Sequence, residues 1–262
     1  MITSLKNPLV RQALRLRESR RERQRTGLFL VEGLREIRRA LAGGFSPRTV
    51  LHSPALLDEN GRKLVHDLPP GVALAVAPPV INRLLVREDH DGLCALFAPA
   101  ESPLPEPPSD HAAFYLVLEG VEKPGNLGAL LRSADGAGAD AVFLCGSATD
   151  PWNPNVIRAS LGTVFSLPVI RMELADLRAW LMERQVRCLG ASPAARRSFY
   201  EADLRGPLAL FLGSEADGLT PEALAAVDEQ LSLPMAGQGD SLNVSAAGAV
   251  QMYEVVRQRR GI

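Results

Sequence analysis

The sequence predicts an α/β protein in two parts: a C-terminal domain on a parallel sheet covered on both faces, and a smaller α/β domain ahead of it. Three observations carry this. After residue 111, short apolar runs recur at Phe114–Leu118, Ala141–Cys145, Leu167–Ile170, Val186–Leu189, Leu208–Leu212 and Gln230–Leu233, with helix-like segments between most of them. The stretch Pro99-Ala-Glu-Ser-Pro-Leu-Pro-Glu-Pro-Pro-Ser-Asp110 holds five prolines and favours extended, poorly packed backbone. It divides the chain into residues 1–98, a linker over 99–111 and residues 112–262. Ahead of it, helix and strand signals alternate.

In chain order, Asn7-Pro8 supplies a helix cap followed by proline at the first helical position, opening an Arg-rich helix to about Gln24. Leu28–Val31 reads as a strand, Gly33–Leu41 as a helix, and Val72–Val76 and Leu93–Phe97 as later strands. Beyond the linker, the first apolar run enters a Gly-rich turn and then a helix over Leu127–Gly136, which Gly138 stops. The last helix runs from Asn243 to Arg260. Its apolar residues Val244, Ala247, Val250, Met252, Val255 and Val256 cover more than one stripe, while Arg257, Arg259 and Arg260 complement the C-terminal dipole. A terminal helix apolar that far round predicts a homodimer packed through it.

With 262 residues, 46% apolar and 23% charged, the chain is long enough for two packed cores and too apolar for disorder. No apolar run approaches the roughly 20 residues that span a bilayer, and Met-Ile-Thr-Ser-Leu-Lys at the start lacks the apolar stretch of a secretory signal. A cytoplasmic protein without a membrane partner is expected. Cys94, Cys145 and Cys188 sit singly within apolar runs, which predicts neither disulfides nor a metal site. The net charge of −1 conceals an asymmetry: residues 1–40 hold Lys6 and ten arginines against four glutamates, a local +7. That pole suits the phosphates of a nucleic acid, with Arg11, Arg15, Arg21 and Arg25 as candidate contacts. Alternatively, Arg15 with Glu18, or Glu18 with Arg21, pair along a solvated helix.

The most informative stretch is Leu233-Pro-Met-Ala-Gly-Gln-Gly-Asp-Ser-Leu-Asn-Val-Ser245, where small and polar residues crowd the start of a helix. Orphan N–H donors and the positive dipole end collect ligands there. Two other loops share the style, Pro124-Gly-Asn-Leu-Gly128 leading to Arg132, and Leu212-Gly-Ser-Glu-Ala-Asp-Gly-Leu219. Their glycine spacing matches neither a Rossmann dinucleotide turn nor a P-loop. Together, and in this order, the three loops resemble the motifs of the SpoU/TrmH family, knotted SPOUT-class RNA ribose 2′-O-methyltransferases. The likeness spans residues 114 to 256, including Asn153-Pro-Asn-Val-Ile-Arg158-Ala-Ser160-Leu-Gly, similar to the family's intervening helix. Ser4-Leu-Lys-Asn-Pro and Gly27-Leu-Phe-Leu-Val-Glu32-Gly resemble the L30e-like substrate-binding domain of the rRNA-directed branch. The chain departs from the pattern at Ala216, at Glu122-Lys123 and at His90-Asp91-Gly92, none of which carries the chemistry.

The resemblance implies a trefoil knot, which composition alone never suggests, and S-adenosylmethionine as cofactor, held at Gly213, Leu233 and Leu242 with Met235 and Ser241 beside them. It implies methyl transfer from that cofactor to a ribose 2′-hydroxyl, on large-subunit (23S-type) rRNA. A tRNA substrate, or a non-catalytic ribosome- or RNA-binding protein on the same fold, are the alternatives. A ribose hydroxyl is barely ionised at neutral pH, so the reaction needs a proton acceptor or a stabilised alkoxide. Arg132 is implied at that hydroxyl, either as a base made competent by its surroundings or as a cation stabilising the alkoxide. Asn126 would fix the hydroxyl or Arg132, and Glu215 would anchor Asn126, the third loop or the nucleotide. Ser241, Asn243 and Ser245 combine helix capping with cofactor or substrate contacts. Arg158 would grip RNA phosphate or serve a dimer or helix pairing.

Overall fold

The computed structural model describes residues 1–99, 102–147 and 149–261. Ala100 and Glu101 of the proline-rich stretch, Ala148, and Ile262 at the end of the expected C-terminal domain lie outside them. The chain folds as two compact units, Met1–Glu101 with Asp150–Ser166, and Ser102–Thr149 with Leu167–Ile262. It therefore passes between the units three times. Sequence reading places Asp150–Ser166 inside the C-terminal domain, whereas this segment packs within the first unit.

In the first unit, Asn7 accepts a hydrogen bond from the Leu9 N–H at 2.9 Å and opens α1 (Pro8–Glu18), as the Asn-Pro pair predicts. The expected single helix to Gln24 is instead two. Ser19 takes extended backbone angles, and its hydroxyl accepts from the Glu22 N–H to cap α2 (Arg20–Thr26). Consequently the expected Glu18 pairings do not form; Arg15 lies 3.6 Å from Glu22, which also accepts from Arg25 at 2.7 Å. The chain continues through β1 (Phe29–Glu32), α3 (Leu34–Ala42), β2 (Pro47–His52), α4 (Glu59–Asp67), β3 (Ala73–Ala75), α5 (Pro78–Leu84) and β4 (Leu93–Phe97). The sheet has the order β1-β4-β2-β3, with β4 antiparallel to both neighbours and β2 parallel to β3. Val10, Ala13 and Leu16 of α1 pack into one core with Leu30, Leu51 and Leu96 of the sheet.

The late segment completes this unit. It carries α7 (Pro154–Ala159) and a tight turn at Thr163–Phe165. Trp152 stacks on Phe29 with ring centroids 4.6 Å apart, and meets Phe45 edge-on at 5.6 Å. Arg23 is buried, donating from Nε to Asp150 at 2.7 Å and from Nη1 to the Leu16 carbonyl at 2.8 Å.

The second unit holds a six-stranded, all-parallel sheet, as the apolar runs predict. Its elements are β5 (Phe114–Glu119), α6 (Pro124–Ala137), β6 (Ala141–Cys145), β7 (Val169–Arg171), α8 (Leu174–Glu183), β8 (Arg187–Ala191), β9 (Leu208–Leu212), α9 (Pro221–Ala226), β10 (Glu229–Leu231) and α10 (Val244–Arg260). The order is β10-β8-β9-β5-β6-β7. Trp180 and Leu181 of α8 share a core with Tyr115 and Phe143. Against α6 lies α10, so close that a Cβ on Gly248 would meet Leu130 Cδ2 at 2.5 Å and Leu212 Cδ1 at 2.7 Å. A larger residue there would require both leucine side chains to shift. Successive strands leave β5 on one side through β6, while β9 and β8 lie on its other side, which makes the β5–β9 border a topological switch point. Ligands of open parallel sheets bind at the carboxyl ends of strands at such a border.

Candidate active site

The loops that follow β5, β9 and β10 meet at that edge. After β9, the chain reverses in a closed turn: Ser214 and Gly218 exchange backbone hydrogen bonds of 2.9 and 3.2 Å, and the Ser214 hydroxyl accepts from the Asp217 N–H at 3.0 Å. Gly213 is obligatory, because a Cβ there would overlap the Gly218 carbonyl and the Leu219 nitrogen. The turn is tied to β5 by buried Glu119, whose carboxylate accepts from the Thr220 N–H at 2.9 Å and from its hydroxyl at 2.6 Å.

At the tip of the turn, Glu215 accepts a hydrogen bond from the Asn126 carboxamide in the first turn of α6. The Asn126 carbonyl oxygen accepts from Asn243 Nδ2 at 3.3 Å. Asn243 caps α10, accepting from the Ser245 N–H at 3.0 Å and from the Ser245 hydroxyl at 2.6 Å. The carboxylate fixes the polarity of this chain: only the NH2 end of Asn126 can face Glu215, so its oxygen must face Asn243. One row of side chains thus joins all three loops.

Beside the row lies a cleft of about 450 Å³. Gly213, Glu215, Leu233, Met235, Ser241, Leu242 and Asn243 all line it, as do Lys123, Asp240 and Gln251, which sequence reading did not single out. The strands and α10 supply an apolar floor through Leu212, Leu231, Val244 and Ala247; the charged side chains come from the loops. An apolar floor with charge at the rim, narrowed where glycine replaces any side chain, fits a nucleoside carrying a zwitterionic amino-acid arm. S-adenosylmethionine has that form.

Arg132 lies on α6 outside the cleft wall, exposed, and its guanidinium has no hydrogen-bond or ion-pair partner among the described residues. In the first unit, Arg11 and Arg21 are exposed and equally unengaged among the described residues, whereas Arg15 and Arg25 share Glu22. The hydrogen bond from Arg25, opposed by slight burial, holds the Glu22 carboxyl below its ordinary range. Arg158 donates to Asn155 at 2.8 Å and lines a polar cleft of about 360 Å³ with Arg17 and Arg87. Sequence reading missed both of those arginines, which carry no motif.

Residues 113–253 match the SpoU rRNA Methylase family, and residues 7–95 match the MRM3-like substrate binding domain. The chain belongs to the SpoU rRNA methylase family. It is 30% identical to a 23S rRNA (uridine(2479)-2′-O)-methyltransferase of Streptomyces viridochromogenes, over 98% of this chain and 92% of that protein. It is 42% identical to the 23S rRNA (guanosine-2′-O-)-methyltransferase RlmB of Pectobacterium atrosepticum, over 56% of this chain and 61% of that protein. Among solved structures, it resembles the SpoU methyltransferase AviRb from Streptomyces viridochromogenes in complex with the cofactor AdoMet, with TM-score 0.90 and 29% identity over 97% of this chain and 99% of that one.

Proposed function

We propose that this protein transfers a methyl group from S-adenosylmethionine to a ribose 2′-hydroxyl of large-subunit rRNA. The row Glu215–Asn126–Asn243 beside the glycine-narrowed cleft carries the reading. When bound, S-adenosylmethionine supplies an electrophilic methyl group. The chain's own task is then to present a ribose oxygen in line and manage its proton. Asn126 and Asn243, already locked in orientation by Glu215 and Ser245, hold polar groups fixed at the cleft's edge. Such fixed dipoles need no reorganisation as charge develops. Arg132 acts at the hydroxyl as proton acceptor or as the cation stabilising the alkoxide. Ser241, Leu242, Leu233, Met235 and Gly213 hold the cofactor.

The protein works as a homodimer packed through α10. Arg132 lies about 9 Å along α6 from Asn126 and about 120° round it, away from the cleft of its own chain. One turn on, Gly136 lies under the Tyr253 hydroxyl of α10, and Tyr253 itself is 53% exposed. A second copy seated on that face would bring Arg132 to the partner's cleft. We further propose that the segment after β10 threads a loop to form the trefoil knot, that residues 1–98 with Arg11, Arg15, Arg21, Arg25 and Arg158 take up RNA, and that the protein is cytoplasmic. Among the described residues, no helix is long and apolar enough to cross a membrane. The two relatives are named for different nucleosides, uridine in one and guanosine in the other.

The test is incubation of the full-length protein with total RNA and methyl-labelled S-adenosylmethionine, followed by alkaline hydrolysis. Label in an alkali-resistant dinucleotide from large-subunit rRNA is expected; label confined to tRNA, or to bases, overturns the reading.

A further inference from the structure

Lys123 stands at the start of α6, where its carbonyl accepts from the Leu127 N–H at 3.1 Å. Its side chain is exposed, lines the cleft, and has no hydrogen-bond or ion-pair partner among the described residues. Among the described residues that line the cleft it is the single cation, against the carboxylates of Glu215, Asp217 and Asp240. Glu215 is already engaged by Asn126, and all three carboxylates repel an approaching anion. An anion drawn to this cleft therefore has one place to settle.

Its place says which anion, resting on the reading of the cleft as the site of ribose methylation. Three positions separate Lys123 from Asn126, about 5–6 Å between Cβ atoms at the start of a helix. The flexible four-carbon stem of a lysine spans that gap, so its ammonium reaches the row at which the ribose oxygen is placed. A 2′-hydroxyl within an RNA strand never arrives alone, because the neighbouring ring carbon bears the 3′-phosphodiester. Presenting the oxygen at the row brings that negative charge toward Glu215, a repulsion that a cation between them offsets. The cofactor's carboxylate is the other anion at hand, but it carries its own ammonium and needs no outside cation to enter. The geometry points to Lys123 as a substrate-binding residue that holds the phosphodiester on the 3′ side of the target ribose and so sets the 2′-oxygen at the row. A point charge of this kind positions a strand without reading its sequence.

The experiment compares full-length wild type, Lys123→Met and Lys123→Arg in methyl transfer to deproteinised large-subunit rRNA between about 50 and 200 mM KCl. Each phosphate contact on a single strand contributes about 0.7 to the fall of log(kcat/KM) with log salt. Lys123→Met is expected to flatten that slope by about 0.7, so the wild-type advantage shrinks about two- to threefold across the range. Lys123→Arg, which keeps the charge, should keep the wild-type slope. Calorimetric titration with S-adenosylhomocysteine should give one affinity for all three proteins. An unchanged slope in Lys123→Met overturns the assignment; if the titration weakens instead, the lysine serves the cofactor's carboxylate. The side chain is exposed, so both variants should keep the wild-type melting transition. Failure of wild type to label the rRNA at all sinks the functional reading beneath the assignment, a result distinct from an unchanged slope.

Discussion

Arg23 and Asp150, 127 positions apart, form a 2.7 Å ion pair that is almost wholly buried. The backbone N–H of Trp152 also donates to Asp150, at 3.0 Å, so one carboxylate holds both the guanidinium and the start of the late segment. Asp150→Ala leaves Arg23 charged and unpaired, which costs about 3–5 kcal/mol. Chemical denaturation is expected to show this as an early transition of the first unit. A change under about 1 kcal/mol would mean that water replaces the carboxylate at little cost.

Removal of residues 1–98 is expected to unsettle the fold of the remainder, besides weakening the proposed RNA association. Val156, Ile157, Phe165 and the ring of Trp152 are packed within the first unit, and the truncation strips away their partners Phe29 and Phe45. The fragment should bind an apolar dye and self-associate in sedimentation. A monodisperse, dye-silent fragment would show that the segment repacks unaided.

Gly213→Ala should disable the cleft. The added methyl overlaps backbone atoms, which cannot rotate away, so the turn must open at a cost of about 1–3 kcal/mol. Cofactor affinity should fall at least tenfold by titration. Gly237→Ala is the control, since nothing lies within 4 Å of its Cβ, and its affinity should match wild type.

Much of this architecture can be read from residues alone, for a physical reason. Strands of a parallel sheet are buried on both faces, so β6, β9 and β5 up to Leu118 are unbroken apolar runs. Caps speak as clearly: Asn243 starts α10 and Gly138 ends α6 where expected. What stays hidden depends on long-range packing. β2 buries only Val50 and Leu51, and α5 opens with Pro78-Pro79, which reads as a loop although both occupy a helix's first turn. Arg23 looks like any other arginine of a basic stretch, and nothing in composition marks Asp150–Ser166 as belonging with residues far upstream. At the site, the motif residues were legible, whereas Glu119, Lys123 and Gln251 lie in ordinary strand, loop and helix contexts.

Glu215→Ala should lower kcat/KM about ten- to a hundredfold, the worth of a charge-assisted hydrogen bond, with cofactor affinity less affected. Glu215→Gln, which can turn its carbonyl toward Asn126, should recover most of that loss. Equal damage from both would show that the charge, rather than the orientation of Asn126, matters.

Arg132→Ala should abolish methyl transfer while leaving titration with S-adenosylhomocysteine unchanged. Mixed dimers of Arg132→Ala and Glu215→Ala chains distinguish where it acts. If Arg132 serves the partner's cleft, one of the two sites is intact and activity rises to about half of wild type; activity no higher than that of the Glu215→Ala dimer places it in its own chain's site.

The three thiols provide a probe of integrity. Burial pushes Cys94 and Cys145 up to about 12 and Cys188 to about 11; nearby carboxylates add to the effect, while Arg178 opposes it at Cys188 and Arg17 at Cys94. Because the reactive species is the thiolate, alkylation at pH 8 should be negligible in the native protein and complete for all three in denaturant. Fast labelling of any one in the native state would reveal local opening around its strand.

The three passages of the chain between its units have a consequence for heredity as well as for handling. A protease that nicks the proline-rich stretch cannot release the amino-terminal piece, because the Arg23 pair and the Trp152 stack still grip it. By the same logic, a recombination event that exchanged the first 98 residues for a foreign domain would leave the Asp150–Ser166 patch without its mate.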